Sequence, residues 1–241
     1  VNDEGNFAHE ILVPMLNPQA APFETLHPNP AKQLDMTVQR YFAPGSEWLS
    51  LKIYAANSTA ELVLIESLTP FLRQYCQQGL VKSWFFIRYA DPYWHLRLRL
   101  FGEPAALCGQ LLPLLQKQLA SWLSCQRISK IEVFTYQREV ERYGGDIAML
   151  YCEQIFQADS EIVLSSLQLI SEHGESVRWR MALLGIDTML DAFGYDLSQK
   201  LKLISGLRES FGQEFQEYAK LRSQLGLKFR DCQQQLRQDF Q

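Results

Sequence analysis

The chain has 241 residues, of which 47% are hydrophobic and 21% are charged, and its formal net charge is -4. This length suits one large domain or two small ones, and the acidic balance argues against a protein that binds nucleic acid through bulk positive charge. Five cysteines without CxxC spacing argue against a zinc cluster or a disulfide framework, and no apolar run is long enough to cross a bilayer. We therefore expect a cytoplasmic globular protein with neither a metal site nor a membrane span.

The first 44 residues do not have the pattern of an independent domain. A short apolar segment at residues 9–16 is followed by a proline-rich stretch at residues 17–31. A strand in the apolar segment would have no partner to pair with. We expect residues 1–16 to be the tail of a preceding domain and residues 17–44 to be a linker.

Residues 45–143 predict a domain in which strands and helices alternate. Apolar and polar residues alternate along three stretches, and a short Asp91-Pro92 turn makes the middle stretch a hairpin. The predicted strands cover residues 48–55, the two arms of the hairpin at residues 84–100, and residues 130–139.

Apolar residues at helical spacing predict helices over residues 58–78 and 104–125, with Pro113 bending or splitting the second helix. The resulting order, β-α-β-β-α-β, is that of a ferredoxin-like α+β fold. In that fold two helices cover one face of a four-stranded antiparallel sheet, and the other face remains available.

The second arm of the hairpin has leucines on one side and His95, Arg97 and Arg99 on the other, since successive strand residues face opposite sides of a sheet. A guanidinium fork suits carboxylate or phosphate, so this pattern favours an anion site. The alternative is a solvated face on which arginine stems cover apolar surface. The side chains expected to bind substrate on the same face are Lys52, Tyr54, Tyr136 and, if the strand register allows it, Arg88.

Residues 136–145, YQREVERYGG, form a second charged run. One interpretation is an exposed, salt-bridged strand end, which contributes little to stability. The other is that Arg138 or Arg142 joins the hairpin arginines while Glu139 orients one of them or moves a proton. His95 also has two interpretations: beside arginines its protonated form is disfavoured, so it is either a neutral base or a packed residue.

After residue 144 the pattern changes to helices, with plausible caps. Such a helical layer, residues 144–241, can cover the open sheet face and turn it into a cleft. No element is predicted for residues 227–241. The predicted helices cover residues 146–156, 160–172, 176–193 and 198–221.

Three segments occur in a specific order along the chain: PGSEWLSLKIY (44–54), WFFIRYADPYWHLRLRL (84–100) and YQREVERYGG (136–145), which is followed by CEQIFQADS (152–160). Together they resemble the C-terminal domain of lantibiotic dehydratases, also called the thiopeptide-type bacteriocin biosynthesis domain. The resemblance spans roughly residues 40–195. In addition, HEILVPML (9–16) resembles the end of the glutamylation domain that precedes this module in those enzymes.

The resemblance implies a lyase-type enzyme of bacteriocin biosynthesis. In that family the preceding domain uses glutamyl-tRNA to esterify serine and threonine side chains of a precursor peptide. The C-terminal domain then eliminates glutamate and leaves dehydroalanine or dehydrobutyrine. Arg97 and Arg99 match family arginines needed for elimination, and the REVER run supplies Glu139 with Arg138 or Arg142.

The resemblance also implies partners. These are the glutamylated precursor peptide, the preceding glutamylation domain, a lanthionine cyclase and a second copy of the chain in a homodimer. No cofactor is implied for this domain, because glutamyl-tRNA is used by the preceding one.

The sequence departs from the family pattern near its C-terminal end. The family has a further histidine there, in a His…Asn-Arg segment, whereas residues 198–241 contain no histidine. Either the chain is truncated before that segment, which we expect, or it has diverged and lost this base.

Two other functions are compatible with the same residues. One is a free-standing enzyme that condenses two dehydroalanines into the pyridine ring of a thiopeptide, against which the HEILVPML segment argues. The other is a non-catalytic module that binds peptide or RNA, in which aromatic side chains of the open sheet face stack on bases.

Overall fold

The computed structural model describes the backbone of residues 38–214 and 218–239. The predicted tail, residues 1–16, and most of the predicted linker, residues 17–44, lie outside the described residues. Residues 41–42, near the end of that linker, form a strand.

An antiparallel sheet lies at the centre of the described part. The strands are β1 (Tyr41–Phe42), β2 (Trp48–Tyr54), β3 (Ser83–Ala90), β4 (Trp94–Phe101), β5 (Lys130–Val133) and β6 (Tyr136–Gln137). A four-stranded sheet has the order β3-β4-β2-β5, and β1 pairs separately with β6. All these pairs are antiparallel, and the predicted α+β class is confirmed.

The predicted strand at residues 130–139 is wrong in one respect, because it consists of two strands with different partners. β5 pairs with β2 as far as Val133, and the Phe134 N–H then donates to the Ser50 carbonyl at 3.0 Å. Beyond this point the chain leaves the sheet, and β6 pairs with β1. Alternation along the sequence cannot distinguish the two partners, since both pairings have the same period.

Helices account for most of the remaining described residues. They are α1 (Asn57–Leu62), α2 (Thr69–Gln77), α3 (Pro104–Ala106), α4 (Leu112–Ser124), α5 (Asp146–His173), α6 (Arg178–Ala192), α7 (Leu197–Glu214) and α8 (Tyr218–Asp239). π-helical turns at Val63–Leu68 and Leu107–Leu111 join α1 to α2 and α3 to α4. Each turn lies just before a proline, Pro70 or Pro113. The wider turn accommodates the missing N–H and the ring of the proline, so Pro113 alters the predicted helix without ending it.

The leucine side of the sheet packs against α1–α4 and their π-helical turns. Leu96, Leu98 and Leu100 of β4 are fully buried, and each contributes about 1.5–3 kcal/mol through burial. The prediction that this side of the hairpin faces the core is confirmed. The buried helix residues that belong to the same core include Leu64, Leu68, Leu107, Leu111, Leu115 and Leu119.

The predicted helices at residues 146–156 and 160–172 are one continuous helix, α5. Residues 157–159 contain neither proline nor glycine, so nothing in the backbone ends the helix there. α5 lies along the edge strand β3 and covers only one end of the open sheet face, where Phe156 contacts Phe85. The predicted helix at residues 198–221 comprises α7 and the start of α8, and α8 also includes residues 227–239.

Ser160 satisfies a backbone donor at the edge of the sheet. The Phe86 N–H donates to Ser160 Oγ at 3.1 Å, and Ser160 Oγ donates to the Phe156 carbonyl at 2.7 Å. In Ser160→Ala the buried N–H has no partner, so we expect the free energy of unfolding to fall by about 1–3 kcal/mol in urea unfolding.

Ser165→Ala is the matched control for Ser160→Ala, because the exposed Ser165 hydroxyl donates only to a carbonyl of its own helix, that of Glu161. We expect this control to change the free energy of unfolding by less than about 0.5 kcal/mol. Equal effects of the two substitutions would contradict the role of Ser160.

No helix within the described ranges is long and apolar enough to cross a membrane. The five cysteines are all free thiols. Among the described residues, no group of three or more histidine, cysteine or acidic side chains is arranged to hold a metal ion.

Candidate functional site

The sheet face opposite the leucine side carries charged and aromatic side chains from three strands. In the observed register Arg99 lies between Ser50 of β2 and Phe85 of β3. Side chains that are directly opposed in a sheet project from the same face, so these strands build one surface. We call it the arginine face, and its residues are Trp48, Ser50, Lys52, Tyr54, Phe85, Ile87, Tyr89, His95, Arg97, Arg99 and Phe101.

Arg88 does not belong to the arginine face. The register pairs Arg88 with Leu96, whose side chain is in the core, and Arg88 Nη2 lies 2.9 Å from Glu61 Oε1 on α1. The placement of Arg88 beside Arg97 and Arg99 is therefore wrong. The register decides this point, because shifting it by one residue would exchange the two faces.

An aromatic cluster covers one end of the arginine face. The Trp48 ring centroid lies 5.6 Å from that of Phe85 and 5.4 Å from that of Tyr136. Phe42 of β1 stacks on Tyr136 of β6 with a centroid separation of 5.8 Å. The β1–β6 pair thus brings two aromatic rings over the sheet and excludes water from this end.

Arg99 lies in this cluster as a buried cation. Its side chain is only 8% exposed, and its guanidinium carbon is 5.0 Å from the Phe85 ring centroid and 4.5 Å from that of Tyr136. Burial lowers the pKa of Arg99, and proximity to Tyr136 partly counteracts this effect. Arg99 Nε, Ser50 Oγ and Trp48 Nε1 are buried and have no hydrogen-bond partner among the described residues. A buried cation in this state is unfavourable unless an anion pairs with it.

Arg97 is next to Arg99 on β4 and is more exposed. Its guanidinium carbon lies 3.7 Å from the Tyr89 ring centroid. Its Nε donates to His95 Nε2 at 3.1 Å. The side chain is thus held by an aromatic face and by one hydrogen bond.

Three cations converge on the ring of Phe134, which follows β5. The centroid of this ring lies 5.4 Å from Lys52 Nζ and 6.0 Å from the guanidinium carbons of both Arg97 and Arg99. In the described part of the chain, none of these three cations takes part in an ion pair. The arginine face therefore concentrates three positive charges, none of which forms an ion pair with a described carboxylate.

Tyr54 closes the other end of the face. Its ring centroid lies 4.8 Å from that of His95, and its hydroxyl donates to Glu132 Oε2 at 2.8 Å. This hydrogen bond is the main reason that the pKa of Tyr54 is raised. Lys130 also pairs with Glu132, so the Glu132 carboxylate is already bound by two groups.

Arg138 is buried like Arg99 but is fully paired. Its Nε and Nη2 donate to the two oxygens of Glu153, each at 2.6 Å, and its Nη1 donates to the Gln39 carbonyl at 3.0 Å. The Tyr136 hydroxyl donates to Glu153 Oε1 at 2.8 Å, and burial together with this carboxylate raises the pKa of Tyr136. Arg138 and Glu153 therefore fix the ring on which Arg99 stacks.

Glu139 and Arg142 form an exposed ion pair beside the arginine face. Arg142 Nη1 lies 2.8 Å from Glu139 Oε2, and this hydrogen bond raises the pKa of Arg142. Burial is the main influence on the pKa of Arg99 and lowers it, whereas the negative charge of Glu139 is one of the weaker influences that raise it. An exposed pair contributes little to stability, so either member is available to a ligand at little energetic cost.

Among the residues of this site that were not predicted from the sequence are Phe134 and Glu153. Phe134 was assigned to the middle of a strand, although it is the ring shared by the three cations. Glu153 lies on the buried stripe of α5 that also contains Met149, Ser160 and Leu164. A glutamate on an apolar helical stripe is a sequence signal for a buried partner, and this signal identifies Glu153 but not Arg138.

A groove of about 440 Å³ lies elsewhere, between α2, β3 and α5. Its lining includes Leu72, Trp84 and Leu164 from the core side of the sheet, with Arg73 and Glu161 at its edge. It contains no buried group without a partner among the described residues. We therefore place the candidate site on the arginine face.

Comparison with known proteins gives one family and several relatives. The model of the family described as lantibiotic biosynthesis dehydratase C-term matches residues 48–241. The subtilin biosynthesis protein SpaB of Bacillus subtilis is 27% identical over 231 residues, which cover 89% of this chain and 21% of SpaB. The nisin biosynthesis protein NisB of Lactococcus lactis subsp. lactis is 33% identical over 130 residues, which cover 54% of this chain and 12% of NisB. The chain thus spans about a fifth or less of the length of these relatives.

Solved structures with a similar fold include the tRNA-dependent lantibiotic dehydratase MibB from Microbispora sp. 107891. It has a TM-score of 0.51 at 33% identity, and the match covers 56% of this chain and 13% of MibB. The pyridine synthase TbtD from thiomuracin biosynthesis has a TM-score of 0.61 at 10% identity over 78% of this chain and 69% of TbtD. TsrL has a TM-score of 0.54 at 18% identity over 80% of this chain and 59% of TsrL. At such low identity, the likeness to TbtD and TsrL shows the fold alone.

Proposed function

Since the chain belongs to the lantibiotic biosynthesis dehydratase C-terminal family, whose model it matches over residues 48–241, we propose that it is a glutamate-elimination domain. Its substrate is a precursor peptide with glutamylated serine or threonine side chains. Its products are free glutamate and a dehydroalanine or dehydrobutyrine residue. This makes it a lyase-type part of a peptide dehydratase in bacteriocin biosynthesis.

The observation that carries this proposal is the contrast between two buried arginines. Arg138 has a bidentate carboxylate partner in Glu153, whereas Arg99 is equally buried and has no ion-pair partner among the described residues. A guanidinium kept in this state is preorganised for a carboxylate that arrives with a ligand. A glutamyl ester supplies two such groups: the side-chain carboxylate before the reaction and the leaving carboxylate after it.

The proposed elimination needs a base and groups that stabilise negative charge. A base removes the proton on Cα of the esterified residue, and the electron pair of that bond forms the Cα–Cβ double bond. The Cβ–O bond to the ester breaks, and its electron pair leaves on the glutamate carboxylate. Arg97, Arg99 and Lys52 stabilise the negative charge as it develops, because they surround one site from which water is partly excluded. We assign the base to none of these cations.

We assign supporting roles to the other predicted residues. Arg138 holds Tyr136 through Glu153 and so supports the ring beneath Arg99. Glu139 and Arg142 are at the edge of the face, where Arg142 is available to a second carboxylate. The Ser50 hydroxyl, which lies directly opposite Arg99 in the sheet, is a further donor for the bound anion.

We infer that the core is ferredoxin-like. The order β3-β4-β2-β5 supports this topology, because the first and third strands of the β-α-β-β-α-β series lie at its centre. That placement also explains why the arginine face is built mainly from β2 and β4.

The partners are likewise proposals. They are the glutamylated precursor peptide, a preceding glutamylation domain that uses glutamyl-tRNA, a lanthionine cyclase and a second copy of the chain, all in the cytoplasm. Helices α6–α8 expose many large apolar side chains, which is typical of a surface covered by another domain or subunit. Examples that are more than half exposed are Leu197, Leu201, Ile204, Phe211, Leu225 and Phe229.

The experiment that tests the elimination function is mass spectrometry of a synthetic peptide with a glutamylated serine, incubated with this chain. We expect free glutamate and a dehydrated peptide. A glutaminyl ester is the matched control, because it has the same shape and leaving atom without the side-chain carboxylate. We expect the glutamyl ester to react about tenfold to a hundredfold faster, since hydrogen bonds to a charged group contribute about 1.5–3 kcal/mol.

Three outcomes would contradict this proposal. An unchanged glutamyl ester would mean that the chain has no elimination activity. Tight, salt-sensitive binding of RNA without any reaction would favour a binding module. Formation of a heterocycle from a peptide with two dehydroalanines would favour a pyridine-forming enzyme.

A further inference from the structure

His95 is enclosed within the arginine face. It lies near the start of β4 and is only 2% exposed. The ring of Tyr54 lies 4.8 Å from its ring centroid, and that of Tyr89 lies 5.8 Å away. The imidazole is therefore held by aromatic rings from both neighbouring strands.

Both nitrogens of His95 have hydrogen-bond partners whose chemistry fixes the tautomer. The Arg97 Nε, 3.1 Å from His95 Nε2, can only donate. The Tyr93 carbonyl, 2.8 Å from His95 Nδ1, can only accept. His95 Nε2 must therefore be the acceptor and Nδ1 must carry the proton, which is the neutral imidazole.

This arrangement bears on the base that removes the Cα proton. The only lone pair of the imidazole is directed at Arg97, so it is not available to a substrate proton. An N–H on His95 Nε2 would point at the Nε–H of Arg97, which is a donor and cannot accept it. The same hydrogen bond fixes one edge of the Arg97 guanidinium, while Tyr89 supports its plane.

We infer that His95 is a positioning residue that orients Arg97, and that it is not the proton acceptor of the elimination. Because Nε is occupied, Arg97 presents its two Nη groups end-on to the carboxylate. This inference rests on the proposed function, since it assigns Arg97 a carboxylate ligand.

Two substitutions separate the two hydrogen bonds of His95. In His95→Gln the side-chain oxygen reaches the place of Nε2 and can accept from Arg97. In His95→Asn the shorter amide can donate to the Tyr93 carbonyl but does not reach Arg97. Each variant keeps one of the two hydrogen bonds, so we expect similar stabilities. Melting temperatures of both variants show whether a loss of activity comes from a loss of folding.

For elimination of the glutamyl ester, we expect kcat/KM to fall about a hundredfold in His95→Asn, because a misplaced catalytic group has an effect of this size. We expect His95→Gln to recover at least about tenfold of that loss. In an Arg97→Ala background, His95→Asn should cause little further loss, since a residue that acts through Arg97 has no effect once Arg97 is removed. Equal losses in both variants, or a full additional loss in the Arg97→Ala background, would overturn the inference.

A second readout does not depend on activity. In the ¹⁵N NMR spectrum the Arg97 Nε–H should be protected from solvent exchange in the wild type and in His95→Gln, and should exchange rapidly in His95→Asn. If the wild type shows this protection but eliminates no glutamate, the proposed function fails while the positioning contact stands. An Arg97 Nε–H that exchanges rapidly in the wild type would overturn the positioning role itself.

Discussion

If the chain eliminates glutamate as we propose, replacing Arg99 with methionine should abolish most of that activity without weakening the fold. Methionine keeps a similar unbranched stem and removes the charge that we expect to receive the carboxylate. We expect kcat/KM for the glutamyl ester to fall about 10²–10³-fold, the size of effect that follows the loss of one preorganised electrostatic group. The free energy of unfolding should stay the same or rise, because the buried guanidinium has no partner among the described residues that compensates for its lost hydration.

Mass spectrometry of the peptide and urea unfolding of the protein measure the two effects separately. Arg127→Met is the matched control, because Arg127 also stacks on an aromatic ring, with its guanidinium carbon 5.7 Å from the Trp122 ring centroid, but lies outside the arginine face. We expect this control to eliminate glutamate at the wild-type rate. An Arg99→Met variant that is fully active, or one that is clearly less stable than the wild type, would contradict a ligand-binding role for Arg99.

Replacing Arg138 with methionine should have the opposite effect on stability. The substitution leaves the Glu153 carboxylate buried without its cation, while the Tyr136 hydroxyl remains its only described side-chain donor. Breaking a buried ion pair by removing one partner costs about 3–5 kcal/mol. We therefore expect the urea midpoint of Arg138→Met to fall well below that of Arg99→Met, although both substitutions remove a buried arginine.

The double variant Arg138→Met with Glu153→Gln tests the cause of this loss. The glutamine removes the unpaired charge and still accepts from the Tyr136 hydroxyl, so we expect the double variant to be more stable than Arg138→Met alone. If adding Glu153→Gln lowers the stability further, the loss does not come from an uncompensated charge. Similar unfolding midpoints for Arg99→Met and Arg138→Met would remove the distinction on which the proposed function depends.

The sequence pattern could not show that Arg138 is paired with a carboxylate whereas Arg99 is not. Both follow an alternating pattern, and both are flanked by residues that suit a strand. From the sequence, one of two interpretations was that either Arg138 or Arg142 joins Arg97 and Arg99. In the structure, Arg138 is engaged by Glu153, and Arg142 is at the edge of the face with Glu139. The deciding contact joins Arg138, just after β6, to Glu153 on α5, 15 positions away, and no local pattern specifies it.

For Arg88, too, the sequence could not determine the surroundings of the side chain. Its strand was predicted correctly, and its neighbours Trp84 and Phe86 have the same parity as Arg88. Which side of the sheet that parity faces depends on the register with β4, which pairs Arg88 with Leu96. The hairpin residues alone leave two registers open, and only the packing of the leucines against the helices selects one.

The sequence by itself determined the class of the fold, the two sides of β4 and the family of the chain. These features follow from periodicity and from short motifs, because alternation of apolar residues assigns the faces of a strand without reference to its partners. Only the tertiary structure decided which strand β6 pairs with, which arginine is neutralised and which remains without a partner among the described residues. Those outcomes depend on contacts between different parts of the chain. They affect stability and binding because a buried charge without a partner is energetically unfavourable.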